Sequence, residues 1–288
     1  MDNCVQIGAG ALRVEVAKPG TRYARSRFDW TGFIPQVTYN GKTFCTTEDA
    51  PGKTGGTGGE GFCNEFKADD ANMGWDDTDR FFLKPGVGLL EKVNDKPYFF
   101  FTDYNVVQPF PCEMHAAEST VTFHQGAIAH KGIAYTLDKH IAVVENALFI
   151  TSTLTNVGEK ALQFSEYNHN FLSLNGRGNH PQITLTTNAH GKLENPNEAV
   201  VLNDQNLTFT AAPAKPLMIH FDAPPTTDPY WEMADAAIHQ RIQEWGDFPL
   251  TKYAVWGVGH VLSPEAFGDF SIPVGQRRTW TRVWKFFA

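Results

Sequence analysis

The chain has no run of lysine or arginine long enough to neutralise several phosphates, and its formal net charge is −8. No nucleic-acid partner is expected, because affinity for a phosphate backbone is built from clustered cations. The densest basic spots, Arg22/Arg25/Arg27 and Arg277/Arg278, are small and separate. No window approaches the roughly eighteen uninterrupted apolar residues of a membrane helix, so no membrane partner is expected either. The N-terminal Met1-Asp2-Asn3-Cys4 lacks the positive and apolar regions of a secretory leader, and the expected location is cytoplasmic. Cys4, Cys45, Cys63 and Cys112 lack the short paired spacing of a zinc ribbon or a redox motif, and no metal is expected. Repeats, low-complexity tracts and Pro/Ser linkers are missing, so residues 1–288 are read as one domain.

What is present is an aromatic-rich, alternating sequence. The 22 Phe and 7 Trp need a large interior or an aromatic-lined cleft. Period-two alternation recurs in Leu12–Val16, Ser119–His124, Ala147–Thr155, Gln182–Thr187, Leu217–Phe221 and Arg278–Phe286, the mark of half-buried strands. Turn formers such as Asn40-Gly41, Asn156-Val157-Gly158, Asn175-Gly176 and Pro273-Val274-Gly275 favour hairpins over helical crossovers. The expected fold is all-β, a large antiparallel β-sandwich with few short helices. The clearest predicted helix runs from Pro229 to Trp245, with Asp228 as cap, Gly246 as exit and Ile238, Ile242 and Trp245 on one stripe.

The glycine-dense Pro51–Glu60 is not a phosphate-binding loop, because its lysine precedes the glycines and no Gly-Lys-Ser/Thr opens a helix. It reads as a surface loop bordering a cleft, since such backbone approaches ligands closely.

The most informative segment is Phe164-Ser-Glu-Tyr-Asn-His-Asn-Phe-Leu-Ser-Leu174. As a strand it places Tyr167, His169 and Phe171 on one face and Glu166, Asn168 and Asn170 on the other. An imidazole among aromatic rings on a rigid strand suits proton transfer over a sugar ring. Arg25 and Arg27 offer planar forks of donors for hydroxyls or a carboxylate. Glu60 and Glu65 flank Gly61-Phe62-Cys63-Asn64, and Trp75-Asp76-Asp77 follows, a mixture of acceptors and flat apolar surface that fits a sugar cleft. Trp30, Trp75 and Trp256 are the candidate platforms.

Several of these motifs, in this order, resemble the galactose mutarotase-like (aldose 1-epimerase-related) family. Asn168-His169 with its Asn170-Phe171-Leu172-Ser173-Leu174 tail is similar to the family's Asn-His strand. Arg25-Ser26-Arg27-Phe28-Asp29-Trp30-Thr31-Gly32, Leu154-Thr155-Asn156-Val157-Gly158 and Pro273 through Phe286 resemble its opening, its turn before the histidine strand and its final hairpin. The resemblance implies the supersandwich fold and anomer exchange without metal or organic cofactor. His169 would protonate the ring oxygen, Asn168 would assist in binding, and His115 would stand near the anomeric hydroxyl, with His124 its competitor. The base departs from the pattern: where the family has glutamate followed by proline, this chain has Pro264-Glu265. Glu265 is taken first, His260 second, and a cleft without a base is the third case. The expected partner is a monosaccharide or short saccharide. The alternatives are a sugar-binding protein that lost its base, or a lyase or hydrolase on the same scaffold.

Overall fold

The computed structural model describes residues 3–67, 73, 75, 78–193, 197–222 and 228–288. Strands follow one another almost without interruption. The first are β1 (Cys4–Ala9), β2 (Leu12–Ala17), β3 (Gln36–Tyr39) and β4 (Lys42–Thr43). Then come β5 (Phe62–Phe66), β6 (Phe81–Lys84), β7 (Gly88–Glu91), β8 (Asn105–Pro109) and β9 (Cys112–Ala116). The middle holds β10 (Thr120–Gln125), β11 (Tyr135–Val144), β12 (Ala147–Asn156), β13 (Leu162–Asn170) and β14 (Ile183–Thr187). Next are β15 (His190–Leu193), β16 (Val200–Asn203), β17 (Asn206–Phe209) and β18 (Leu217–Asp222). The last five are β19 (Tyr230–Asp235), β20 (Gln240–Gly246), β21 (Leu250–Val258), β22 (Val261–Ile272) and β23 (Arg277–Phe287). All six alternating segments of the sequence are strands, and helix among the described residues is confined to short turns such as Leu174–Gly176.

Two sheets make the sandwich. One has ten strands in the order β16-β17-β14-β19-β20-β23-β12-β11-β10-β9, and the other has six in the order β15-β18-β21-β22-β13-β5. Smaller sheets β1-β2-β3-β4 and β6-β7-β8 flank them. The inner faces interlock through aromatic pairs: Phe62 on β5 meets Trp284 on β23 at 5.0 Å, and Phe270 on β22 meets Trp280 on β23 at 4.6 Å. Burial of such rings is the main favourable contribution, about 1.5–3 kcal/mol for each large side chain removed from water.

The predicted helix 229–245 is instead the β19–β20 hairpin, paired in register from Tyr230↔Trp245 to Asp235↔Gln240. Trp231, Met233 and Asp235 on one strand and Gln240, Ile242 and Glu244 on the other are buried, which is a period of two. Ile238, which seemed to extend a helical stripe, sits in the turn, where Asp235 accepts the Ala237 N–H and His239 adopts positive φ. Packing onto the core overrides the local pattern here.

The interior is not wholly apolar. Arg282 on β23 donates to Glu166 on β13 at 2.7 Å and to Glu244 on β20 at 2.9 Å. Glu244 also accepts from Trp231 Nε1 and from Asn170. Alongside, Lys139 on β11 pairs with Asp29 at 2.6 Å and donates to Asn64 at 2.9 Å. Removing one partner of such a pair strands a charge without water. We predict that Arg282→Met destabilises the fold by about 3–5 kcal/mol, read from urea unfolding. A wild-type unfolding midpoint in the variant would show that the pairing has no such weight.

Candidate active site

The outer face of the six-stranded sheet carries a cavity of about 400 Å³. Its floor follows from strand alternation. On β13, Glu166, Asn168 and Asn170 point into the sandwich, so Tyr167, His169 and Phe171 point out, the two faces expected of this segment. Neighbouring strands add to these rows. Glu65 on β5 stands opposite Tyr167, which stands opposite Phe267 and, beyond it, Lys252. The same register, continued to the Leu172↔Leu262 bridge, sets His169 opposite Glu265, followed by Ala254 and His220. A third row holds Ser263, Trp256 and Met218.

His169 and Glu265 are each only 5% exposed, yet both line the cavity. Nε2 of His169 lies 3.2 Å from Oε1 of Glu265, and Nδ1 lies 2.6 Å from the Ser263 hydroxyl. Ser263 in turn accepts the Asn170 N–H at 3.0 Å and donates to Oε1 of Glu265 at 3.1 Å. The imidazole is stacked on Phe171 at 4.0 Å, with Trp256 edge-on at 5.8 Å and Phe28 edge-on at 6.0 Å. Its support extends to the glycine-rich loop: a Cβ at Gly59 would stand 2.2 Å from the Phe171 ring, so only glycine fits.

Beside this pair lies a second polar group. Arg27 donates to Glu65 at 2.7 Å, to Thr57 at 3.1 Å and to the Tyr167 hydroxyl at 3.1 Å. Tyr167 also donates to Glu65, and Lys84 lies 3.7 Å from the same carboxylate. The arginine loop is held by the Tyr23 hydroxyl, which accepts the N–H groups of Arg27 and Phe28. Glu48 accepts from Thr57 and Gly59, so the glycine-rich segment does not itself line the cavity but supports two residues that do, Glu48 and, through Thr57, Arg27.

Solved structures share this architecture, among them three that cover nearly the whole chain. An aldose epimerase homologue from C. elegans superposes with a TM-score of 0.64 at 11% identity, covering 99% of this chain and 98% of that one. A galactose mutarotase-like protein from Lactobacillus casei ATCC 334 gives 0.60 at 13% identity, covering 99% and 100%. A galactose mutarotase related enzyme from Lactobacillus acidophilus gives 0.61 at 9% identity, covering 99% and 97%. The chain has the galactose mutarotase-like fold. No protein-family model matches the sequence, and no curated protein matches it.

Within this mutarotase-like sandwich the expected site residues divide. His169, Glu265, Arg27, Glu65 and Trp256 meet at the cavity. Asn168 does not, because alternation turns it inward to Asn170. His115 lies on edge strand β9 of the ten-stranded sheet with its side chain 80% exposed, and His124 is an exposed neighbour paired with Asp138. His260 occupies the half-buried β21–β22 turn outside the cavity lining, where Nε2 meets the Thr47 carbonyl. Arg25 binds Asp103 and the Gly56 carbonyl, and Glu60 binds Arg22. Trp75 packs with Phe82, Tyr98 and Tyr104, and of these Tyr98 lines the cavity. Trp30 packs beside Gly20 and donates to the Arg25 carbonyl. Asp76 and Asp77 lie outside the described residues. Ser263, Phe267 and Lys252 were missed; the first two share the Glu265 face at i±2, a signal the sequence did contain.

Burial separates the protonation states of the cavity's carboxyls. It pushes Glu265 up to about 8, against the lowering influence of Arg27 and Ser263. Burial also works against ionised Glu65, but Arg27, Lys84 and Tyr167 outweigh it and hold that carboxylate below its ordinary value. Burial, aided by Arg27, drives His169 well below the usual imidazole range. The His169–Glu265 contact at neutral pH is therefore between two neutral groups rather than an ion pair.

A raised carboxyl pKa has a signed consequence for stability. Between the ordinary carboxyl value of 4.5 and about 8 the folded protein holds a proton on Glu265 that the unfolded chain has released, so this group's stabilising contribution falls as pH rises through that window. Glu265→Gln removes the slope. We predict that the variant's melting temperature, relative to wild type, is higher at pH 8 than at pH 5 by at least about 4 °C. Identical differences at the two pH values in a calorimetric scan would contradict this protonation state.

Proposed function

We propose that the protein is a carbohydrate isomerase of the aldose 1-epimerase type, exchanging the anomers of a free sugar or sugar acid by acid/base ring opening. The observation that carries this reading is the 3.2 Å contact of His169 and Glu265, side by side on the floor of an aromatic cavity, where burial favours the neutral form of each. Anomer exchange needs one proton delivered to the ring oxygen and one removed from the anomeric hydroxyl. Both oxygens are bonded to the same carbon, so donor and acceptor must be neighbours.

The protonation states favour an exchange of the roles implied by the resemblance. Glu265 enters as the carboxylic acid and gives its proton to the ring oxygen; neutral His169 takes the proton of the anomeric hydroxyl. The C1–O5 bond breaks as the carbonyl forms, leaving an open-chain aldehyde beside a carboxylate and an imidazolium. These two charges arise 3.2 Å apart in a poorly hydrated site and stabilise each other. Rotation about C1–C2 presents the other carbonyl face, the C5 hydroxyl closes on it, and both protons return. Glu65 and Glu48 are occupied by Arg27, Lys84, Thr57 and Gly59, which leaves Glu265 as the carboxyl suited to proton transfer.

NMR line-shape and exchange measurements across a monosaccharide panel test the proposal. His169→Asn and Glu265→Gln should each slow exchange by about 10²–10⁴. The wild-type rate should fall as pH rises past about 8, where Glu265 loses its proton. Buffer rates for every sugar, or an activity that climbs through pH 8 with Glu265→Gln unaffected, would rule out this chemistry.

A further inference from the structure

Phe99, Phe100 and Phe101 are 54%, 37% and 46% exposed, the large exposed aromatic residues among those described, and they are consecutive. Water contact with three phenyl rings is unfavourable, and the rings reduce it in part by packing on each other at 4.5–5.5 Å. They stand at the candidate active site. Phe100 and Phe101 line the cavity, and the Phe100 ring lies 4.5 Å from the Arg27 guanidinium.

The sheet supplies a ruler. Side-chain rows on one face of a strand are about 7 Å apart, so the Trp256, His169–Glu265 and Tyr167 rows span about 13 Å. Arg27 donates to the Tyr167 hydroxyl, and its guanidinium lies between the Phe28 ring at 4.6 Å and the Phe100 ring at 4.5 Å. The cavity thus offers two aromatic surfaces: Trp256 beside the proton-transfer pair and the Phe100–Phe101 turn packed on Arg27. The three rows together are longer than a single pyranose ring.

We propose that the Phe99–Phe101 turn is a second sugar-binding subsite, and that the preferred ligand is a short saccharide of at least two pyranose units. The reducing unit lies over His169 and Glu265; the next unit lays its C–H face on Phe100 and Phe101 and presents hydroxyls to Arg27. This rests on the sugar-isomerase reading of the same cavity.

Calorimetric titration of wild type and a Phe100→Ala/Phe101→Ala variant with cellobiose, maltose and galactobiose, against glucose and galactose, tests it. Wild type should bind at least one disaccharide roughly tenfold more tightly than its reducing-end monosaccharide, and the variant should bring that ratio to about one. Absence of a disaccharide preference in wild type overturns the proposal, as does a ratio that survives the substitutions. Equal weakening of both ligand sizes also overturns it, in favour of a turn that closes over a single ring. Anomer exchange of the monosaccharides, followed in parallel, separates the two readings. Exchange without disaccharide preference removes the subsite alone, and preference without exchange removes the catalysis alone.

Discussion

Strand β13 is polar on both of its faces, and the Arg282 contacts with Glu166 and Glu244 are what make such a strand tenable in the middle of a sandwich. Two carboxylates between sheets would be costly without a cation to meet them. With Arg282 in place, the inward face of β13 is tied to β20 and β23, and Asn170 adds its own bond to Glu244. The outward face inherits that rigidity. His169 lies between Asn168 and Asn170, and the Asn170 N–H also fixes the Ser263 hydroxyl that meets the imidazole. The interior ion pairs and the cavity are thus two sides of one strand.

The cavity's chemistry comes from unequal surroundings of similar groups. Glu65 and Glu265 occupy adjacent rows of the same sheet face, yet Arg27 and Lys84 gather around the first, while the second has a neutral imidazole and a serine. Burial acts on both; the cations decide which remains ionised. A carboxylate that holds Arg27 in place and a carboxylic acid that can donate are therefore produced by the same sheet. Phe171, seated against Gly59, limits water around the imidazole from the other side.

Much of this arrangement is legible in the sequence. Period-two alternation marks the strands, because a half-buried strand must alternate, and the same rule assigns Tyr167, His169 and Phe171 to one face. The same rule also turns Asn168 away from the cavity, an implication that the family resemblance obscured. The segment Pro229–Trp245 misled because Ile238, Ile242 and Trp245 happen to fall at helical spacing, while the buried set Trp231, Met233, Ile242 and Glu244 obeys the strand period.

Local pattern and composition determined the strand content, the hairpin turns and the outward face of β13, since these depend on residues a few positions apart. Tertiary structure alone decided that Glu265 meets His169 despite the reversed proline order, that Arg27 rather than Arg25 reaches the cavity, and that His115 stands on a distant sheet edge. It also brought Phe100 to Arg27 across more than seventy residues of chain. The physical reason is register: which rows of distant strands align is set by packing of the whole core, and a shift of one residue would turn each of these side chains to the opposite face.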